Sequence, residues 1–215
     1  MEKKIKMWHN VLLKGIGLVY RPDNNSDILY QTIYNDIKDK IDLHILEVGC
    51  GSGAISLALK QNTNNNFFTM SDINDIAISY AKQNAQLNNL EENITIIESD
   101  MFKNIPYSKY DIIFANIPFF TYNDGYDIFF NMFVPMTGYI VGNSSDEDVL
   151  LKELIIQSSE YLNNHGIIYF QTGDIEQRNR MTELLKQNGF TNIEYFNTNT
   201  NKPLFIKAEY VDFIF

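Results

Sequence analysis

The sequence predicts a doubly wound α/β domain: a mainly parallel seven-stranded sheet with helices on both faces and an antiparallel hairpin at the C-terminal end. Three observations predict it. Short apolar runs alternate with amphipathic segments along most of the chain, and each strand–helix pair has the length a right-handed βαβ unit needs. The last two apolar runs follow one another with no helix between them. The chain has 215 residues, which suits one domain at roughly 100–200 residues each. Hydrophobic residues make up 45% and charged residues 20%, enough apolar material for a real core, which excludes disorder and collagen-like structure.

Taken in order, the N-terminal stretch from Ile5 to Tyr20 reads as a cap over the ligand site, with Trp8 covering it. Ser26 is expected to cap a helix that runs to about Ile41, with Ile28, Leu29, Ile33 and Ile37 on one face. These residues, 1–41, form a cap segment and helix, and residues 42–215 form the main domain. Leu43 to Val48 is a short apolar run ending in glycines, hence a buried strand. A helix follows through Ala54, Leu57, Ala58 and Leu59. Phe67 to Met70 is the next strand, closing at Ser71-Asp72, and Asn74 to Asn88 is helical. Ile94–Ile97 and Tyr110–Ala115 are strands. A helix over Asp146–Leu162, a strand over Gly166–Gln171 and a helix over Ile175–Gln187 come next. The hairpin strands are Asn192–Phe196 and Leu204–Phe213.

Charge and cysteine content narrow the function. The formal net charge is −10, which argues against a nucleic-acid partner, because such binding draws on cations set against phosphates. The single cysteine, Cys50, forms neither an internal disulfide nor a thiolate cluster. His9, His44 and His165 lack metal-ligand spacing, so no metal is expected. No run approaches the roughly 18 apolar residues that span a bilayer, and the opening segment lacks the pattern of a signal peptide. A cytoplasmic protein is the expectation, with its oligomeric state left open.

The strongest motif is Ile45-Leu46-Glu47-Val48-Gly49-Cys50-Gly51-Ser52-Gly53-Ala54. A strand enters a glycine turn and leaves it as a helix, so the backbone can approach a ligand closely. Its G-x-G-x-G spacing departs from the G-x-G-x-x-G of pyrophosphate-binding folds. Glu47, just before the turn, repels a pyrophosphate and suits a ligand bearing an ammonium group, while Cys50 fills the turn as a small residue. Asp72 lies about 20 residues on, at the end of the next strand, where such folds put a carboxylate that accepts ribose hydroxyls. Asp100 follows the third strand, placed to accept from an adenine amino group. An adenosine with a cationic amino-acid tail, S-adenosylmethionine, satisfies all three.

From Val19 onward the chain resembles the class I S-adenosylmethionine-dependent methyltransferases of Rossmann-like fold. The resemblance implies that Gly49, Gly51 and Gly53 line the methionine part, with Glu47 ordering the loop. It also implies that Asp72 holds the ribose, Ile73 packs on adenine, and Asp100 with Met101 reads the adenine edge. Asn116-Ile117-Pro118-Phe119, directly after a strand, is similar to the N-P-P-[Y/F] signature of enzymes that methylate planar nitrogens. Ile117 stands where that family has its first proline. By resemblance the Asn116 side-chain oxygen and the Ile117 carbonyl accept the two N–H bonds of the substrate, and Phe119 stacks on it.

Two stretches further resemble the glutamine amide methyltransferases of translation release factors: Leu18-Val19-Tyr20-Arg21-Pro22-Asp23, and Ile168 to Gly173 followed by Gln177 and Lys186-Gln187-Asn188-Gly189-Phe190. The aromatic-rich stretch from Phe119 to Tyr139 reads as a lid over an apolar pocket, with Tyr122, Tyr126 and Tyr139 as substrate-binding candidates, and with Phe129, Phe130 and Phe133 as core residues of a helix. The expected activity is methyl transfer to an amide or amine nitrogen of a small molecule or a protein glutamine. Two alternatives stand beside it: attack on the aminobutyrate chain of the cofactor, releasing methylthioadenosine, and a non-catalytic cofactor-binding partner subunit.

Overall fold

The computed structural model describes residues 5–14, 19, 22–117, 146–197 and 204–212. In chain order the elements are β1 (Lys6–Trp8), β2 (Val11–Leu13), α1 (Asn24–Ile37), β3 (His44–Val48), α2 (Ala54–Asn62), β4 (Phe67–Asp72), α3 (Asp75–Leu87) and β5 (Ile94–Glu98). Then follow β6 (Tyr110–Ala115), α4 (Val149–Tyr161), β7 (Leu162–Thr172), α5 (Ile175–Gln187), β8 (Phe190–Asn197) and β9 (Leu204–Tyr210).

Seven strands form one sheet in the order β5-β4-β3-β6-β7-β9-β8. The first five of these run parallel, and β9 pairs antiparallel with both β7 and β8. Strand order reverses between β3 and β6, which is the switch point where this architecture leaves a crevice beyond the strand ends. Side chains alternate across the sheet and divide the core in two. Ile45, Phe68, Ile112, Phe114 and Tyr169 pack with α1 and α2 on one face, while Leu46, Val48, Ile113, Ala115 and Phe170 pack with α4 and α5 on the other.

The N-terminal hairpin of β1 and β2 belongs to the first of these cores. Val11 and Leu13 are buried with Leu29, Ile33 and Ile37 of α1. Two asparagines of α3 pair with β2 as a neighbouring strand would. Asn88 Oδ1 accepts from the Leu12 N–H at 2.7 Å and its Nδ2 donates to the Leu12 carbonyl at 2.8 Å. Asn84 does the same for Lys14, at 2.7 and 3.3 Å. The match is geometric: four helical residues rise about 6.0 Å and two strand residues about 6.8 Å, so the two repeats run nearly in step.

Three expectations are corrected. Asp23, not Ser26, caps α1: its Oδ1 accepts from the backbone N–H groups of Asn25 and Ser26. A carboxylate is the stronger acceptor at a positive helix end, and Ser26 is buried inside the first turn. The helix ends at Ile37 rather than Ile41: the chain tightens into a turn in which Lys40 N donates to the Ile37 carbonyl at 2.9 Å, and Asp42, at a positive φ of 59°, then leads into β3. Trp8 does not cover the glycine turn. Its ring lies edge-on to Tyr30, 5.5 Å between centroids, and the carbonyl of neighbouring His9 accepts from Asn62 at the last residue of α2. That is the far end of a helix about 13 Å long from the turn that starts it.

Candidate active site

β3 ends in the glycine turn, and three positive φ values carry the chain through it: 75° at Gly49, 54° at Gly51 and 78° at Gly53. The turn is fastened to β4. The Ser71 carbonyl accepts from both Gly49 N and Cys50 N at 2.8 Å, and Asp72 Oδ2 accepts from Gly51 N at 2.8 Å. Asp72 Oδ1 accepts from Asn74 N at 2.9 Å, and the Ile73 N–H also faces the carboxylate; with about four lone-pair sites, the two oxygens together keep capacity for a further donor. Asp72 reaches the next strand end as well, since its carbonyl accepts from Ser99 N at 2.9 Å. Burial pushes the Asp72 carboxyl above its ordinary range, against the pull of its backbone N–H donors.

The three glycines do different work. A Cβ on Gly53 would sit 2.5 Å from the Met70 Cε, and one on Gly49 would sit 2.6 Å from the Ile117 Cγ2. Both are packing positions. Among the described residues nothing lies within 4 Å of a Cβ on Gly51, so no described side chain packs on the backbone there. The Gly49–Ile117 contact also joins the turn to the loop after β6. Asn116 is half-buried and Ile117 is buried at that strand exit, beside β3 at the switch point.

Glu47 is 2% exposed. Its Oε2 accepts from Ser56 Oγ at 2.5 Å and from Ser56 N at 3.3 Å. Burial raises its pKa to about 8, opposed by the Ser56 hydrogen bonds. The Cys50 thiol is also pushed well up, by burial and then by the neighbouring Glu47 and Asp72 carboxylates. It stays a protonated small side chain.

Ile73 is 62% exposed, an apolar side chain left uncovered beside Asp72. Asp100 is half-exposed and pairs with Lys103 at 2.5 Å. Met101 is buried, with a φ of 47°, and its carbonyl accepts from Ser99 Oγ at 2.9 Å. Pro118, Phe119, Tyr122, Tyr126, Tyr139 and the three core phenylalanines lie outside the described residues. Among the described residues no cluster of three or more His, Cys, Asp or Glu is arranged to hold a metal, and no helix is long and apolar enough to cross a membrane.

Sequence reasoning missed two residues here. Ser56 is the partner of Glu47. Asn84 is fully buried, and besides gripping Lys14 its Nδ2 donates to the Ser52 carbonyl inside the glycine turn at 3.0 Å. The signal for Asn84 was its i,i+4 spacing to Asn88 on a helix whose polar face should otherwise be solvated.

The family described as methyltransferase small domain matches residues 13–137, more than half of the chain. The chain belongs to this family. It is 28% identical over 201 residues to the release factor glutamine methyltransferase of Clostridium botulinum, covering 91% of this chain and 68% of that enzyme. It is 29% identical over 185 residues to a Methanocaldococcus jannaschii chain named as a protein N5-glutamine methyltransferase, covering 83% of this chain and 86% of that one. The crystal structure of a ribosomal protein L11 methylase from Lactobacillus delbrueckii superposes with a TM-score of 0.69 over 93% of this chain and 84% of that one, at 20% identity. Family and fold together make this chain a methyltransferase of class I architecture.

Proposed function

We propose that the chain uses S-adenosylmethionine to methylate a nitrogen, with the planar side-chain amide of a protein glutamine as the first acceptor to test and a small-molecule amide or amine as the other. The observation that carries the reading is the contact between Gly49 and Ile117, which joins the turn suited to the cofactor to the loop suited to the acceptor. The names of the clostridial and archaeal relatives favour glutamine.

The residues present fit the cofactor. No described side chain packs against the Gly51 backbone, which suits close approach of a ligand; Asp72 keeps acceptor capacity for ribose hydroxyls, and exposed Ile73 offers an apolar surface for a base. Glu47 orders the loop from beneath through Ser56. Asp100 and Met101 stand at the next strand end for the adenine edge. When bound, the cofactor supplies a methyl group on a positively charged sulfur.

The chain's own residues supply orientation and charge stabilisation. An amide nitrogen is a poor nucleophile because its lone pair is delocalised. The Asn116 oxygen and the Ile117 carbonyl accept its two N–H bonds, turn the lone pair toward the methyl group, and stabilise the positive charge that develops on nitrogen. Phe119, with Tyr122, Tyr126 and Tyr139, walls the planar acceptor, and residues 1–41 cap the domain formed by 42–215.

Calorimetric binding of S-adenosylmethionine tests the cofactor half. Gly51→Ala is expected to weaken affinity by about tenfold or more, since the added methyl occupies the ligand's space at a cost near 1.4 kcal/mol. Unchanged affinity rejects the site. In transfer assays Asn116→Ala is expected to lose about a hundredfold or more in rate, with a smaller loss in cofactor affinity. A rate equal to wild type removes Asn116 from the reaction.

A further inference from the structure

Gln171 is 4% exposed, and among the described residues its Oε1 has no hydrogen-bond partner. A buried amide oxygen left unpaired costs roughly 1–3 kcal/mol, so a ligand that brings a donor to it recovers that cost. Its position says which ligand. Gln171 is the penultimate residue of β7, next to β6 in the sheet. Those strands are parallel with Ala115 opposite Phe170, so the next positions in register are Asn116 and Gln171. Neighbouring strands lie about 4.8 Å apart.

Both residues also use the same face. Ile112 and Phe114 pack in the core under α1 and α2, while Ile113, Ala115 and Ile117 pack on the opposite face, and Asn116 continues the first set. On β7, Phe170 belongs to the opposite face. Tyr169 points to the α1 side, where its hydroxyl donates to Asp36 Oδ2 at 2.6 Å, and Gln171 is two residues on. Two carboxamides thus stand side by side at the C-terminal edge of the sheet.

We infer that Gln171 is an acceptor-binding residue: its side-chain oxygen receives an N–H from the amide-bearing substrate, beside the N–H bonds taken by Asn116 and Ile117. This rests on the amide-methylation reading. It adds a third oxygen acceptor, so the site prefers substrates with an additional N–H close to the reacting amide, such as the backbone of a glutamine-bearing peptide, over amides with no second donor.

The test compares wild type, Gln171→Leu and Gln171→Glu as full chains, with purified release factor and a glutamine-containing peptide as acceptor probes. Gln171→Leu is expected to melt at or above the wild-type temperature, because it removes an unpaired buried oxygen. Its cofactor affinity is expected to be unchanged and its acceptor KM to rise about tenfold with little change in kcat, the loss of one uniform hydrogen bond. Gln171→Glu retains an oxygen there and is expected to recover part of the KM. A destabilised Gln171→Leu with wild-type KM overturns the inference and makes Gln171 structural. Wild-type enzyme inactive on both probes overturns the protein-glutamine reading, and this inference with it. Active wild type with normal kinetics in both variants overturns this inference alone.

Discussion

Replacing Glu47 by glutamine isolates the electrostatic cost of the glycine turn. Glu47 is buried against Ser56, and its pKa lies near 8 rather than at the ordinary 4.5. Between those values the unfolded chain ionises this carboxyl while the folded chain keeps it protonated. The unfolded state therefore binds fewer protons, and stability falls as pH rises through that window. The slope is up to about 1.4 kcal/mol per pH unit. Glutamine keeps an oxygen for the Ser56 hydroxyl and cannot ionise. The stability difference between Glu47→Gln and wild type is therefore expected to grow in favour of the variant by about 2.5 kcal/mol between pH 5 and pH 7. Urea unfolding of both proteins without cofactor at each pH measures it. A difference of that size moves the midpoint by roughly 0.8–2.5 M, given m-values of about 1–3 kcal/mol/M. Taking the difference cancels the other titrating groups, apart from Asp72, which raises the Glu47 pKa in a minor way. A pH-independent difference would refute the reasoning, because it would mean that Glu47 is already ionised in the folded protein at pH 5.

Three further outcomes are expected. Asn84→Ala should cost about 1–3 kcal/mol and deprotect the Lys14 amide in hydrogen exchange. The Leu12 amide, held by Asn88, should keep more of its protection, and equal loss at both would contradict separate anchors. Arg180→Met leaves buried Asp148 without its two guanidinium bonds of 2.6 and 2.9 Å, with Gln177 at 2.9 Å as its remaining side-chain donor among the described residues. Arg180 is half-exposed, so the cost is expected at about 1–3 kcal/mol near neutral pH, below that of a fully buried pair. Burial raises the Asp148 pKa, but Arg180 and Gln177 together pull it below its usual range. The penalty should therefore be complete above that range and shrink as acid protonates Asp148; a penalty constant down to pH 2 would contradict it. Gly53→Ala should lower the thermal midpoint more than Gly51→Ala. Both add backbone strain at positive φ, but only Gly53 also meets Met70. Equal midpoints would contradict the packing role.

Much of the scaffold was legible because its strands are continuous apolar runs. β6 and α5 fall on the residues that periodicity indicates, and β4 closes at Ser71-Asp72 as read. Boundaries failed where a side chain outside the periodic pattern decided them. Asp23 captures the start of α1 from Ser26, and β7 begins at Leu162, four residues before Gly166. The glycine turn and the acids that follow successive strands were legible because their positions need no tertiary information. The grip of Asn84 and Asn88 on β2 and the placement of Gln171 beside Asn116 were not. Each depends on register between elements far apart in sequence, and a lone amide residue carries no sign of its partner.

Transfer of an isotopically labelled methyl group is the most direct test of the central claim. The purified chain is incubated with methyl-labelled S-adenosylmethionine and either release factor or a fractionated lysate, and the label is followed by mass spectrometry. The account predicts S-adenosylhomocysteine, with the label on a side-chain amide nitrogen of the acceptor. Label retained in methylthioadenosine, or appearing on nucleic acid, would contradict it.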